Sequence, residues 1–197
     1  MRVPNMLLVG ATARNTGKTT FCTGFIRKWT AHFDIIGVKV TTVHDEKAHC
    51  HHGNVGCGVC TNFKGEFDIT EESVMIDGKD TCELLKAGAA KVYWIKANKN
   101  SLADAFSNLI SKIPKSALIV CESNSLSSVV TPAVIVVSSR TDVSDMKPSA
   151  GPMLEKADFI VDVSDQGNLL AVLDSILVES TGLECRLRTL SGGDTSG

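Results

Sequence analysis

Short apolar runs alternate with amphipathic stretches along most of this chain. Runs with the length and composition of buried strands occupy residues 6–10, 35–40, 92–95, 117–122, 133–137 and 158–163. Stretches with apolar residues at helical spacing occupy residues 18–32, 77–88, 102–110 and 167–178. This alternation predicts an α/β fold of three layers, in which helices cover both faces of a mostly parallel sheet of about six strands.

Two regions do not fit the alternation. Residues 46–65 are rich in glycine, histidine and cysteine and lack apolar periodicity, which predicts an insertion at about 45–76. Beyond residues 46–65, residues 66–72 are predicted to form a loop that leads into a short turn. Residues 183–190 predict an edge strand or a helix end, and residues 191–197 a disordered tail. We therefore expect one domain over residues 1–190.

Composition narrows the class of protein. Of the 197 residues, 43% are hydrophobic and 21% are charged, which is typical of a folded domain. A net charge of -2 gives no electrostatic footprint for nucleic acid. No apolar run approaches the roughly 18 residues that span a bilayer, and the N-terminus does not resemble a secretion signal. These features predict a cytoplasmic protein that binds neither nucleic acid nor membrane.

A candidate phosphate-binding loop lies between the first predicted strand and the first predicted helix. In its Gly-Lys-Thr sequence, Lys18 would hold the phosphates of a nucleotide and act in catalysis, and the Thr19 hydroxyl would bind Mg²⁺. The alternative is an ordinary helix start. The predicted nucleotide-binding residues are Thr12, Ala13, Arg14, Asn15, Thr16, Gly17, Lys18, Thr19 and Thr20.

This loop departs from the usual spacing G-x-x-x-x-G-K-[ST] at one position. The first glycine should stand at position 12, which is Thr12, and Gly10 lies two residues too early. The loop is therefore either longer than the usual one or turns without that glycine.

Polar residues follow several of the predicted strands, at the edge where parallel sheets bind ligands. Glu122 ends a continuously apolar strand and is predicted to hold Mg²⁺ through water or to orient the attacking water. Lys39, Thr42 and His44 line the end of the second strand and are candidates for the same site, unless that end is simply exposed. Asp80 lies in the first turn of a predicted helix, where an acidic residue also serves as a cap.

A possible base-recognition loop follows the strand at residues 133–137. Its sequence, Ser139-Arg140-Thr141-Asp142, is a degenerate form of the Asn-Lys-x-Asp loop with which many GTPases bind guanine. Arg140 can stack on a base, but a serine cannot make the contacts of the asparagine. Asp142 is the predicted guanine ligand.

The insertion carries a pattern typical of a metal site. A Cys-x-x-Cys pair at Cys57 and Cys60 follows Cys50 and a group of histidines, His49, His51 and His52. Tetrahedral zinc takes such a mixed set of thiolate and imidazole ligands, so we predict Zn²⁺ bound by Cys50, His52, Cys57 and Cys60. The alternatives are a redox-active dithiol, an iron–sulfur ligand set, another of the histidines as the fourth ligand, or a loop without metal.

Four segments together resemble the MobB family, P-loop proteins associated with molybdopterin-guanine dinucleotide synthesis. They are residues 17–20, residues 38–44, residues 77–81 with 87–89, and the strand that ends at Glu122. The resemblance covers most of residues 5–125, and the Cys/His insertion departs from the family pattern. The resemblance implies a GTP-binding homodimer of the SIMIBI class and a partner protein in cofactor biosynthesis. The residues it implicates are Lys18, Thr19, His44, Asp80 and Glu122.

Three functions are consistent with these patterns. The first is a P-loop protein that binds GTP or ATP with Mg²⁺ and hydrolyses it slowly, by positioning and electrostatic stabilisation. The second is a metal-binding adaptor or metallochaperone that uses the Cys/His loop, with nucleotide as a switch. The third is an ATP-dependent ligase or kinase of the dethiobiotin synthetase type, for which the sequence reveals no substrate site.

Overall fold

A computed structural model describes residues 1–43, 65–74, 78–142 and 146–190 of the chain. In the first half, the order is β1 (Arg2–Ala11), α1 (Lys18–Trp29), β2 (Ile35–Val43), β3 (Phe67–Glu71), α2 (Asp80–Lys86), β4 (Lys91–Asn98) and α3 (Leu102–Ile110). In the second half, it is β5 (Leu118–Glu122), β6 (Thr131–Ser139), α4 (Gly151–Leu154), β7 (Phe159–Asp162), α5 (Gln166–Asp174), β8 (Ile176–Ser180) and β9 (Cys185–Thr189).

Seven of the strands form one sheet, in the order β3-β4-β2-β5-β1-β6-β7. All neighbouring strands are parallel except β3, which runs antiparallel to β4. The central strand β5 places Glu122 in register with Val9 of β1 on one side and with Lys39 of β2 on the other. The carboxyl ends of β1, β2, β5 and β6 therefore meet at one edge, where open parallel sheets bind their ligands.

Alternation along the central strands fills two hydrophobic layers. Leu7 and Val9 of β1 face a cluster that includes Phe21 and Phe25 of α1, together with residues of α2, α5, β8 and β9. Met6 and Leu8 face the opposite cluster, which α3 and α4 cover. The mostly parallel sheet is thus flanked by helices on both faces, which is compatible with the predicted three-layer α/β fold.

The prediction of a loop at residues 66–72 was wrong, because residues Phe67–Glu71 form β3. Phe67 and Ile69 are partly buried and pack on the core, while Asp68 and Thr70 between them are exposed. Strict alternation over so few residues is the pattern of a half-buried edge strand. Its charged flanks concealed that pattern in the sequence.

The predicted helix at residues 167–178 ends early, at Asp174. Residues Ile176–Ser180 form β8 instead and pair antiparallel with β9, so the prediction was wrong for its last residues. Ile176 is fully buried under the sheet, and Val178 packs beside it. Tertiary burial of β-branched residues has outweighed helical spacing here. Of the two alternatives for residues 183–190, the strand is the correct one.

The remaining predicted strands and helices are present, with ends that differ by a few residues. Among the described residues, no helix has both the length and the apolar character needed to cross a bilayer.

Candidate functional site

The loop between β1 and α1 turns without a glycine at position 12. Positive φ angles of 55° at Asn15 and 85° at Gly17 reverse the chain and place Lys18 as the first residue of α1. Gly10 lies inside β1, where a Cβ would approach Met153 Cε to 2.4 Å. Gly10 is therefore a packing residue and is not part of the loop.

Hydrogen bonds from Ser138 of β6 and from Asn124, just after β5, hold this loop in place. The Thr12 N–H donates to the Ser138 carbonyl over 2.9 Å, and the buried Thr16 hydroxyl lies 3.4 Å from the same oxygen. The Asn124 side chain bonds both backbone groups of Ala11, accepting from its N–H at 2.9 Å and donating to its carbonyl at 2.8 Å. The loop is fixed by the protein itself, which is the condition for a preorganised ligand site.

Three positive side chains converge on the loop. Arg14 and Lys18 belong to it, and Lys147 comes from the segment after β6, where its backbone N–H donates to the Thr12 carbonyl over 2.8 Å. Burial, with the neighbouring charges of Lys18 and Arg14, lowers the pKa of Lys147 to about 8. Lys147 is thus a half-buried cation near two others, and a bound anion would stabilise its charged form.

Three oxygen-bearing side chains lie beside Lys18. The Thr19 hydroxyl donates to Asp80 Oδ1 over 3.2 Å, and Asp80 Oδ2 forms an ion pair with Lys39. Glu122 is only 3% exposed, and its Oε1 has no hydrogen-bond partner among the described residues. A hydroxyl and two carboxylates are hard oxygen ligands of the kind that Mg²⁺ prefers, so this donor set fits a magnesium ion.

The pKa values of Asp80 and Glu122 are shifted in opposite directions. Burial, reinforced by the negative charge of Asp80, raises the pKa of Glu122 against the opposing effects of Thr19, Lys39 and Lys18. Burial also acts to raise the pKa of Asp80, but the hydrogen bond and charge of Lys39 outweigh it and lower that pKa. Asp80 is thus the stable anion of the pair, whereas Thr19, Lys39 and Lys18 offset only part of the effect of burial on Glu122.

Comparisons with known proteins add nothing to this geometry. No family model, curated protein or solved structure matches the chain. The resemblance to the MobB family stays a prediction from sequence motifs.

The other predicted residues are distributed around the same edge of the sheet. Thr42 lies at the end of β2, where its hydroxyl is 2.6 Å from that of Ser125. Ala13 is a buried residue of the loop, and Thr20 is exposed on α1. Asp142 is exposed beyond β6, and Arg140 binds its carboxylate through two hydrogen bonds of 2.9 and 2.7 Å.

The predicted metal ligands and one predicted site residue lie outside the described residues. These are Cys50, His52, Cys57, Cys60 and His44. Within residues 1–43, 65–74, 78–142 and 146–190, no group of three or more His, Cys, Asp or Glu residues is arranged to hold a metal ion.

Sequence reasoning missed three contributors to the site. Asn124 and Ser138 follow or end the central strands β5 and β6, so their position at the ligand-binding edge was a usable signal. No signal in the sequence pointed to Lys147, because it lies in an irregular segment whose path over the loop depends on tertiary contacts.

Replacement of Glu122 by glutamine is expected to stabilise the ligand-free protein at pH 8 by about 1–3 kcal/mol, because it removes a buried charge with an unpaired oxygen. A glutamate's ordinary pKa is 4.5, and burial raises it here, so the folded state keeps this proton to higher pH than the unfolded chain. The stability that this group contributes is fully present below pH 4.5 and is lost as the pH rises through the raised pKa.

Urea unfolding of wild type and Glu122→Gln between pH 4.5 and 8 measures this effect. The stability advantage of the variant should grow with pH, and the exposed Glu155→Gln should show no such trend. A destabilised variant at pH 8, or a difference independent of pH, would contradict the assignment.

Proposed function

We propose that this protein binds a nucleoside triphosphate, GTP or ATP, with Mg²⁺ at the loop between β1 and α1, and hydrolyses it slowly. The observation that carries the proposal is the convergence of Arg14, Lys18 and Lys147 on a preorganised loop. This loop leads into the 12-residue helix α1, whose first N–H groups and dipole add to the positive potential.

Thr19, Asp80 and Glu122 would hold the magnesium ion in this proposal. When bound, Mg²⁺ offsets the negative charge on the phosphates and on the leaving group. Lys18 contributes positive charge at the terminal phosphate oxygens. Glu122 Oε1, which has no hydrogen-bond partner in the described part of the chain, is an acceptor for the proton of a water molecule, so Glu122 orients the attacking water.

The base and the biological setting are further parts of the proposal. Asp142 lies at the edge that would carry the base. Its carboxylate is paired with Arg140, so guanine binding requires that the carboxylate contact both Arg140 and the base, or that the ion pair break. The sequence resemblance favours GTP, a homodimer and a partner protein in molybdenum cofactor biosynthesis, and a cytoplasmic location is proposed from the features of the sequence. The dethiobiotin synthetase-like ligase remains the alternative that uses the same phosphate site.

Calorimetric titration with Mg·GTP and Mg·ATP tests the proposal. We expect binding of at least one nucleotide and a loss of about 5- to 30-fold in Lys147→Gln, from about 1–2 kcal/mol of charge-assisted hydrogen bonding. Because the pKa of Lys147 is about 8 in the free protein, affinity should fall as the pH rises above 8, and Lys147→Gln should weaken that dependence.

The exposed Lys112→Gln removes the same charge away from the site and serves as the control. Failure of both nucleotides to bind at millimolar concentration would rule out the proposed function. Equal affinities of wild type and Lys147→Gln would remove Lys147 from the site.

A metal-binding role is the second candidate, favoured by the Cys/His pattern of the insertion. We propose that Cys50, His52, Cys57 and Cys60 hold one Zn²⁺, either as a structural ion or as cargo of an adaptor. Protein purified without added zinc should contain about one equivalent, and Cys57→Ser/Cys60→Ser should contain none. Cys185→Ser is a control for general thiol effects, and metal-free wild-type protein would exclude this role.

A further inference from the structure

A small cavity lies beside Asp80. Its volume is about 220 Å³, and its walls are formed by Lys39, Gly78, Lys79, Asp80, Thr81 and Trp94. We propose that this cavity binds the carboxylate of a small organic anion, as a second ligand beside the nucleotide. Its role as a second substrate site rests on the proposed function, but binding of the anion itself does not require nucleotide.

The charges around the cavity select an anion. Lys39 and Lys79 supply two ammonium groups, and Asp80 supplies the opposing carboxylate. Lys79 lies 4.0 Å from Glu72, at the limit of an ion pair, and its side chain is half exposed. A ligand carboxylate can therefore gain two cations once Asp80 no longer neutralises Lys39.

Asp80 links the cavity to the proposed magnesium site. One of its oxygens accepts from Thr19, and the other is paired with Lys39. An Asp80 carboxylate drawn toward Mg²⁺ leaves Lys39 without its partner, which increases the affinity of the cavity for an anion. The arrangement predicts positive coupling, in which the bound Mg²⁺–nucleotide complex raises the affinity for the organic anion.

The size and the walls of the cavity limit the ligand to a small molecule with an apolar body. A volume of about 220 Å³ lies below the roughly 300–1,000 Å³ of pockets for drug-sized ligands. Trp94 supplies an aromatic wall, fixed by an N–H donated to the Thr41 hydroxyl over 3.0 Å and by the Lys96 ammonium 4.4 Å from its ring. The Thr81 hydroxyl is also fixed, through donation to Glu72 over 2.8 Å.

Benzoate and benzamide form a matched pair of probes for this cavity, since they share shape and differ in charge. Both are titrated into nucleotide-free protein while the indole N–H signals of Trp94 and Trp29 are followed by NMR. Trp29 lies on α1 among Phe25 and Phe33 and serves as the internal control. Benzoate should shift the signal of Trp94 alone, and benzamide should shift neither signal.

Three variants test the part played by the ion pair. Asp80→Asn releases Lys39 and should tighten benzoate binding about fivefold, which corresponds to about 1 kcal/mol. Adding Lys39→Gln to Asp80→Asn should abolish that gain. Lys79→Gln alone should weaken benzoate binding while it leaves nucleotide affinity unchanged.

Equal shifts from benzoate and benzamide, unchanged benzoate affinity in Asp80→Asn, or no Trp94 shift in any protein would each overturn the proposal. These titrations contain no nucleotide, so their outcome is separate from a failure of nucleotide to bind in calorimetry. In wild-type protein that binds nucleotide, a non-hydrolysable Mg²⁺ complex should raise benzoate affinity as Asp80→Asn does.

Discussion

Lys18→Ala is expected to reduce affinity for the Mg²⁺–nucleotide complex by about 30- to 150-fold, which corresponds to about 2–3 kcal/mol. The ammonium group is held at the first position of α1 and shares the loop with Arg14 and Lys147. Its removal takes away a charge-assisted hydrogen bond that Arg14 and Lys147 do not replace. Fluorescence titration with a labelled nucleotide at constant ionic strength measures the loss.

A pKa measurement and a control variant distinguish the loss of nucleotide affinity from misfolding. The charge of Lys18 contributes to the lowered pKa of Lys147, so that pKa should rise in Lys18→Ala while the unfolding free energy is preserved. Lys112→Ala removes a lysine from the exposed surface and should leave nucleotide affinity unchanged. Unaltered affinity in Lys18→Ala would mean that nucleotide binds elsewhere.

Gly17→Ala is expected to cause the largest loss of stability, about 2–5 kcal/mol. At φ of 85°, any Cβ carries a cost of roughly 1–2 kcal/mol. A Cβ at this position would also come within 2.1 Å of Val163 Cγ2, so the loop or the segment after β7 must move. Overpacking of this kind costs roughly 1–3 kcal/mol more. Urea unfolding gives the total, and the displaced loop should bind nucleotide more weakly.

Gly182→Ala isolates the backbone part of that cost. Gly182 has nearly the same φ, 84°, but a Cβ there meets nothing within 4 Å. It should therefore lose only about 1–2 kcal/mol. In a double-mutant cycle, Val163→Ala should recover part of the loss in Gly17→Ala, and strict additivity would contradict a steric cause.

Most of the fold could be predicted from the sequence because its central strands are continuously apolar. The runs that became β1, β2, β5 and β6 are buried on both faces, and no other structure suits such short segments between helices. Two strands at the periphery, β3 and β8, escaped prediction. Phe67–Glu71 and Ile176–Ser180 depend on partners distant in sequence, and pairing overrides local propensity at such positions.

The candidate site could be predicted only where one segment supplies its residues. Lys18 and Thr19 follow from a local motif, and Glu122 from its place at the end of a central strand. The contact between Asp80 and Thr19 joins residues 61 positions apart, and the path of Lys147 over Thr12 arises from tertiary packing. Neither contact has a periodicity or spacing that a sequence alone displays.

A crystal structure with Mg²⁺ and a non-hydrolysable GTP or ATP analogue tests nucleotide binding at the loop most directly. The triphosphate should lie against residues 12–19, with Lys18 Nζ on its terminal oxygens and the ion beside Thr19 Oγ1 and the carboxylates of Asp80 and Glu122. Phosphates bound elsewhere on the protein, with Lys18 turned away from them, would contradict this function.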